Sequence, residues 1–184
     1  VYKRQGLDSP PTGALDVPCG TGRVAERLIE RGIPTRGADL SAAMRRETEA
    51  RLGRRMGFGG VAALDLESAA VDPELGADLV VCFRVLHHVP DAASRARVFR
   101  TLARLTRRDL LVSFHHPVSA HNFSRGFRRV FTGRRGDRHT LTVRRLRAEL
   151  GHAGLQLRST YALGAWRRDL WLAHAVPMRP DGPA

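Results

Sequence analysis

Residues 14–23 read Ala14-Leu15-Asp16-Val17-Pro18-Cys19-Gly20-Thr21-Gly22-Arg23. A short buried-type run, Ala14 to Val17, leads into a turn carrying two glycines, and a helix-compatible stretch follows from Arg23. This is the strand–turn–helix connection that opens a βα unit in an open α/β sheet. Gly20 and Gly22 let the backbone turn sharply and approach a ligand where a Cβ would collide. The helix start behind them is expected to offer unpaired N–H groups and partial positive charge, suited to a carboxylate.

Outward from this turn, short apolar runs alternate with amphipathic stretches. The first helix is expected over about Arg23–Arg31, stopped by Gly32. Pro34 to Ala38 reads as a strand ending at Asp39, and Ser41 caps a helix through about Leu52. Gly59 to Leu64 is a third strand, ending at Asp65. Asp78 to Phe83, with Leu79-Val80-Val81 at its centre, is a fourth. Asp91 caps a helix to about Leu105, with Ala92, Ala96, Phe99, Leu102 and Leu105 as its apolar face. Leu110 to Phe114 is the fifth strand, Thr140 or Thr142 starts a helix to about His152, and strands near Leu155–Ala162 and Asp169–Val176 close the chain. The expected fold is α/β: a Rossmann-like three-layer α/β/α sandwich with a mostly parallel seven-stranded sheet and an antiparallel C-terminal edge strand.

With 184 residues, 42% of them hydrophobic, one domain with a sizeable core is expected over 1–184. Residues 1–13 read as an N-terminal arm and 117–139 as an Arg-rich insertion or lid. No apolar run is long enough to span a bilayer, and no basic-then-apolar leader precedes the first strand; the chain starts at Val1 rather than Met. Cys19 and Cys82 are too few and too far apart to suggest a disulfide framework, so a reducing cytoplasm is expected. The eight histidines show no metal-ligand spacing, and no metal is expected. The net charge of +13 is what a nucleic-acid binder would carry, yet Lys3 is the sole lysine among 31 basic residues. So extreme a preference for arginine, beside abundant Ala, Gly and Leu, is what a GC-rich coding sequence produces. The field is real but names no polyanion.

Ligands of open α/β sheets bind beyond the carboxyl ends of the strands, near the reversal of strand order. Four features fall at such ends: the Gly20–Gly22 turn, Asp39 as an acceptor for a ribose diol, Asp65 as an acceptor for an exocyclic amine, and Phe83-Arg84 at the floor of the crevice. Together these segments resemble class I S-adenosylmethionine-dependent methyltransferases of the small-molecule type. Leu15 to Arg23 is similar to that family's motif I, and Arg36-Gly37-Ala38-Asp39-Leu40-Ser41 to its motif II. Ala63-Leu64-Asp65-Leu66 is similar to the adenine-contacting segment, Ala77 to Val89 to the motif IV region, and Leu146 to Leu155 to the helix entering the sixth strand. The resemblance covers about residues 14–176. It implies S-adenosyl-L-methionine as cofactor, with Asp16, Pro18, Cys19, Gly20 and Gly22 around its methionine part, Asp39 at the ribose hydroxyls and Leu40 beside it as a further cofactor contact. It places Asp65 and Leu66 at the adenine, and Phe83 and Arg84 nearest the sulfonium and substrate.

Pro18 departs from the family pattern, standing where its first glycine is usual; lacking an N–H, it cannot donate to a ligand. A nicotinamide dehydrogenase is the natural competitor for a Gly-x-Gly turn. Asp16 ahead of the glycines and the closing strand pair weigh against it. Methyl transfer from a sulfonium gains mainly from alignment in a dry site, and needs a base only if the acceptor must lose a proton. The catalytic candidates are His115 and His116 after strand five and His87 after strand four; His88 reads as a packing and capping residue, with His121 and Tyr161 farther off. Arg84 either binds an anionic substrate group or pairs with a carboxylate. Arg125, Arg128, Arg129, Arg134, Arg135 and Arg138, interleaved with Phe123, Phe127 and Phe131, form either a lid over the site or a solvated loop. The expected partner is a small-molecule acceptor, an anionic one being a class these arginines suit. RNA methylation is the near alternative, supported by the charge but lacking an appended RNA-binding domain. A non-catalytic scaffold that keeps the fold is the other.

Overall fold

The computed structural model describes residues 9–117, 139–163 and 169–178. Seven strands form one sheet: β1 (Ala14–Asp16), β2 (Thr35–Asp39), β3 (Phe58–Ala63), β4 (Ala77–Cys82), β5 (Thr106–His115), β6 (Leu155–Ala162) and β7 (Leu170–Pro177). Among the described residues, four α-helices accompany them: α1 (Arg23–Ile29), α2 (Ala42–Leu52), α3 (Ala92–Leu105) and α4 (Val143–His152). The strand order is β3-β2-β1-β4-β5-β7-β6. Strands β1 to β5 pair in parallel, whereas β7 runs antiparallel to both β5 and β6. The Rossmann-like sheet and its antiparallel C-terminal edge are thus as expected, and the last strand is slotted between β5 and β6, leaving β6 outermost. Chain order reverses between β1 and β4, which puts the crevice at their carboxyl ends.

Strand periodicity sorts the core into two faces. Leu15, Val80, Cys82, Leu110, Val112 and Phe114 pack with Phe99 and Leu102 of α3 and Leu146 and Leu150 of α4. Their alternates Ala14, Leu79, Val81 and Leu111 pack with Val24 and Leu28 of α1. Helix starts follow the side-chain chemistry: Ser41 Oγ accepts from Met44 N, Asp91 Oδ1 from Ser94 N and Thr142 Oγ1 from Arg145 N. Thr142, not Thr140, is therefore the cap of α4. Helix α1 ends at Ile29, two residues before the expected limit, as Arg31 N turns back to Leu28 O and Gly32 takes a φ of 75°.

Two further elements differ from expectation. The buried stripe of α3 runs through Arg95, Val98, Phe99, Leu102 and Leu105 rather than starting at the exposed Ala92. Arg95 enters the core because Glu149 of α4 receives both Nε and Nη2 at 2.8 Å, while Nη1 donates to Val89 O and Pro90 O. Strand β5 starts at Thr106, four residues before the apolar run, because Asp109 is buried against His174 of β7 at 2.7 Å. The arm is described from Ser9 onward, where Arg108 holds Ser9 and Asp78 holds Thr12. Apart from its end residues, the 117–139 stretch, with His121 and the six candidate lid arginines, lies outside the described residues. Among the described residues no helix is long and apolar enough to cross a membrane.

Candidate active site

Asp16 closes β1 on the α1 face of the sheet, where its Oδ2 accepts from Ala25 N at 3.0 Å. No side chain caps α1 at Gly22; the carboxylate of Asp16 does that work from the preceding strand. Asp16 Oδ1 is buried with no hydrogen-bond partner. Burial pushes the Asp16 carboxyl up to about 7; the Ala25 bond opposes this and the nearby Asp39 charge adds to it.

The turn above is latched from two sides. Asp39, at the end of β2, accepts Gly20 N on Oδ2 at 2.9 Å and Ser41 N on Oδ1 at 2.8 Å. Thr48, buried on α2, donates to Gly20 O at 2.7 Å and lies 3.6 Å from Cys19 Sγ. Gly22 N donates to Cys19 O. The turn amides expected to be open to a ligand carboxylate are therefore partly committed: those of Gly20, Gly22 and Ala25 already have partners within the protein. Nor does Pro18 disturb the turn. Its neighbours Val17 and Cys19 make the backbone bonds, to Val81 O and Ala38 O, and position 18 is not called on to donate. The Val17–Pro18 peptide is cis.

The two glycines are needed for different reasons. Gly22 has φ 77°, and a Cβ there would meet Thr48 Cγ2 and Leu52 Cδ1 at 3.0 Å. Gly20 has φ 53°, and a Cβ would meet nothing within 4 Å. Gly22 lets α2 pack against the turn, whereas Gly20 faces open space. Both thiols are held protonated: burial pushes Cys19 up to about 11 and Cys82 up to about 12, and both cysteines are free.

Beside Asp39 stands Leu40, 67% exposed, an apolar surface held out at the strand end. Asp65 is exposed after β3, and its Oδ1 accepts from Glu67 N at 2.8 Å, a local turn that shapes the segment; Leu66 packs partly against the core. At the end of β4, Phe83 joins the α1-side core and Arg84 takes a left-handed φ of 62°. Arg84 N donates to Ser113 Oγ of β5 at 2.6 Å, and its exposed guanidinium has no carboxylate partner among the described residues.

The histidines divide. His115 ends β5 in register with Leu170 of β7. Its ring lies 5.0 Å, edge-on, from that of His87, and its Nδ1 lies 3.5 Å from Asp169 Oδ2. His87 is buried and its ring is 3.9 Å from that of exposed His88. His116 stacks instead on Trp171, centroids 4.7 Å apart. Thr48, Ser113 and Asp169 were invisible to sequence reasoning: each matters through a partner at least 28 residues away. Among the described residues no group of His, Cys, Asp or Glu is arranged to hold a metal ion.

The family model described as a methyltransferase domain matches residues 15–109. The ubiquinone biosynthesis O-methyltransferase of Bordetella parapertussis is 33% identical over 96 residues, 49% of this chain and 37% of that protein. Its counterpart from Idiomarina loihiensis is 35% identical over 80 residues, 42% of this chain and 32% of that protein. The match thus spans about a third of these relatives' length. Among solved structures, the magnesium protoporphyrin IX methyltransferase of Synechocystis PCC 6803 with bound SAH superposes with a TM-score of 0.78 at 21% identity, over 96% of this chain and 78% of that one. An S-adenosylmethionine-dependent methyltransferase from Methanosarcina mazei superposes with a TM-score of 0.72 at 17% identity, over 96% and 97% of the two chains. At these identities the structural likeness establishes the fold. The fit of the chain to such a cofactor rests on its own residues: open space above Gly20, a buried carboxylate at Asp39 fixed by two amides, and the exposed apolar face of Leu40.

Proposed function

The chain belongs to the methyltransferase-domain family, and from that premise we propose that it transfers the methyl group of S-adenosylmethionine to a small-molecule acceptor. The observation that carries this reading is the Gly20 turn, latched by Asp39 beneath open space at the reversal of strand order.

Asp39, its geometry set by Gly20 N and Ser41 N, retains acceptor capacity for a ribose diol. Leu40, Asp65 and Leu66 border the adenine, and Asp16, Pro18, Cys19, Gly20 and Gly22 shape the methionine end. When bound there, S-adenosylmethionine supplies an electrophilic methyl on a sulfonium. Phe83 keeps water from the end of β4, and Arg84 offers its cation to an anionic acceptor. His115, with His87 beside it, is the group best placed to take a proton; His116, stacked on Trp171, lines the rim. Two buried, protonated thiols suit a reducing cytoplasm.

Calorimetry with S-adenosylhomocysteine tests the reading. The wild type is expected to bind, and Asp39→Ala to bind roughly tenfold to hundredfold more weakly, the loss expected for hydrogen bonds to a charged group. No binding by the wild type, or equal binding by both proteins, would overturn it. Binding without methyl transfer to any member of an acceptor library would favour a scaffold. Tight, salt-sensitive RNA binding would favour a nucleic-acid acceptor.

A further inference from the structure

We propose that Asp169 and His115 form an acid–base dyad in which Asp169 positions the imidazole, and that the acceptor it serves is a weakly acidic hydroxyl of the phenol or enol class. The proposal rests on the methyltransferase reading above. His115 ends β5 and Asp169 immediately precedes β7, so the antiparallel pairing of these strands brings the two side chains to the carboxyl end of the sheet. Both backbones are held: His116 N donates to Asp169 O and Leu141 N to His115 O, each at 2.8 Å. The side chains are 9% and 7% exposed, with Nδ1 and Oδ2 3.5 Å apart, a contact that a small side-chain rotation closes to a hydrogen bond.

Asp169 Oδ1 is buried and has no hydrogen-bond partner. A buried carboxylate with half its acceptor capacity idle is costly unless a cation forms beside it. Among the described residues, His115 is the neighbour able to become one. Anchored at Nδ1, its ring carries the proton there and makes Nε2 the basic nitrogen. Among the described residues, the titratable groups around it are His87 from the turn after β4, Asp169 from the start of β7 and His139 before α4, whose amide donates to His87 O. By strand alternation His115 shares a face with Leu111, which packs in the same cluster as Phe83 at the crevice floor.

The charges select the acceptor. A carboxylic acid is already ionised at neutral pH and needs no base. An ammonium would add a second positive charge beside the forming imidazolium. A phenolic hydroxyl, with a pKa of ~10, gives its proton to a neutral imidazole and develops negative charge on oxygen, which the forming imidazolium favours. In the step, His115 Nε2 takes the hydroxyl proton as the acceptor oxygen's electron pair forms the new bond to the methyl carbon. The methyl–sulfur bond breaks, its electrons stay on sulfur and neutralise the sulfonium, and the imidazolium later returns its proton to solvent.

The test uses wild type, Asp169→Asn and His115→Gln, each saturated with S-adenosylhomocysteine for NMR titration of the histidine ring protons. The His115 signal, assigned by its loss in His115→Gln, is expected to titrate about one pH unit or more lower in Asp169→Asn. S-adenosylhomocysteine formation is then followed from S-adenosylmethionine with catechol, phenol, benzoate or benzylamine as acceptor. The phenols are expected to react. In His115→Gln kcat should fall ~100-fold or more with KM for the cofactor within about twofold. In Asp169→Asn the acid limb of the pH–kcat profile should move to lower pH, a change that a merely structural carboxylate would not cause. Should Asp169→Asn not fold, the loss of the acid limb in His115→Gln carries the test. Unchanged His115 titration in Asp169→Asn refutes the dyad, and turnover of benzoate or benzylamine alone, or of none of the four, overturns the acceptor class. Failure of S-adenosylhomocysteine to bind wild type removes the methyltransferase reading itself, and the dyad with it.

Discussion

Replacing Asp16 by asparagine should invert the usual pH response of a carboxylate-to-amide change. Asp16 is almost wholly buried, and desolvation lifts its pKa from 3.8 to about 7 in the folded chain. The unfolded chain therefore releases the proton near pH 4, the folded chain near pH 7. Between those limits the folded state holds the extra proton, so stability falls as pH rises. The whole effect is about 4 kcal/mol, and the part crossed between pH 5 and pH 8 is about 3 kcal/mol. The amide of the Asp16→Asn variant would keep a carbonyl for Ala25 N but has no proton to lose. Its own packing cost, including an amide placed where Oδ1 lacks a partner, is nearly independent of pH. The difference in Tm between variant and wild type should then shift in the variant's favour by roughly 6–12 °C from pH 5 to pH 8, at about 2–4 °C per kcal/mol. Parallel stability curves for the two proteins in thermal melts at constant ionic strength would refute a buried, proton-holding Asp16.

The two turn glycines should separate stability from binding. Gly20→Ala, strained at φ 53° but with nothing within 4 Å of the new methyl, should lose only about 1–2 kcal/mol of stability while S-adenosylhomocysteine binding in calorimetry falls at least tenfold. Gly22→Ala adds contacts of 3.0 Å with Thr48 and Leu52 to a φ of 77°, so its melting temperature should drop clearly further; equal drops would argue against the packing role of Gly22. Arg95→Met takes from Glu149 its 2.8 Å bidentate partner, in a site where the side chains are 3% and 13% exposed, and leaves it only the solvent-exposed Arg145 at 2.9 Å. Urea unfolding should show a loss of about 3–5 kcal/mol, with much of it regained in Arg95→Met/Glu149→Leu; a loss below about 1 kcal/mol would mean the pair is solvated.

Much of the site was legible because its signals are local. A glycine that must take positive φ, a serine or aspartate that must cap a helix, and an apolar alternation such as Leu79 to Cys82 each express a preference over a few residues. Hence the Gly20–Gly22 turn, Asp39 at the end of β2, and the Ser41 and Asp91 caps lie where expected. The same locality misled at Arg95, whose charge hid a core position, and at Thr106-Arg107-Arg108-Asp109, which looks too polar to open a strand. Both are settled by distant partners, Glu149 and His174.

Strand order obeys the same division. That β6 and β7 form a hairpin follows from a short connection between two apolar runs. That β7 enters between β5 and β6 depends on which edge has unpaired backbone groups once the sheet is assembled. The amino-acid sequence alone thus determined the elements, the mostly parallel sheet and the Gly20–Gly22 turn, because backbone propensity and hydrophobic period act between near neighbours. Only the tertiary structure decided that the turn's amides belong to Asp39 and Asp16, that Thr48 holds the turn, and that His115 faces Asp169 while His116 stacks on Trp171. Hydrogen bonds and charges act over a few ångströms of space, and no spacing along the chain encodes which groups will come that close.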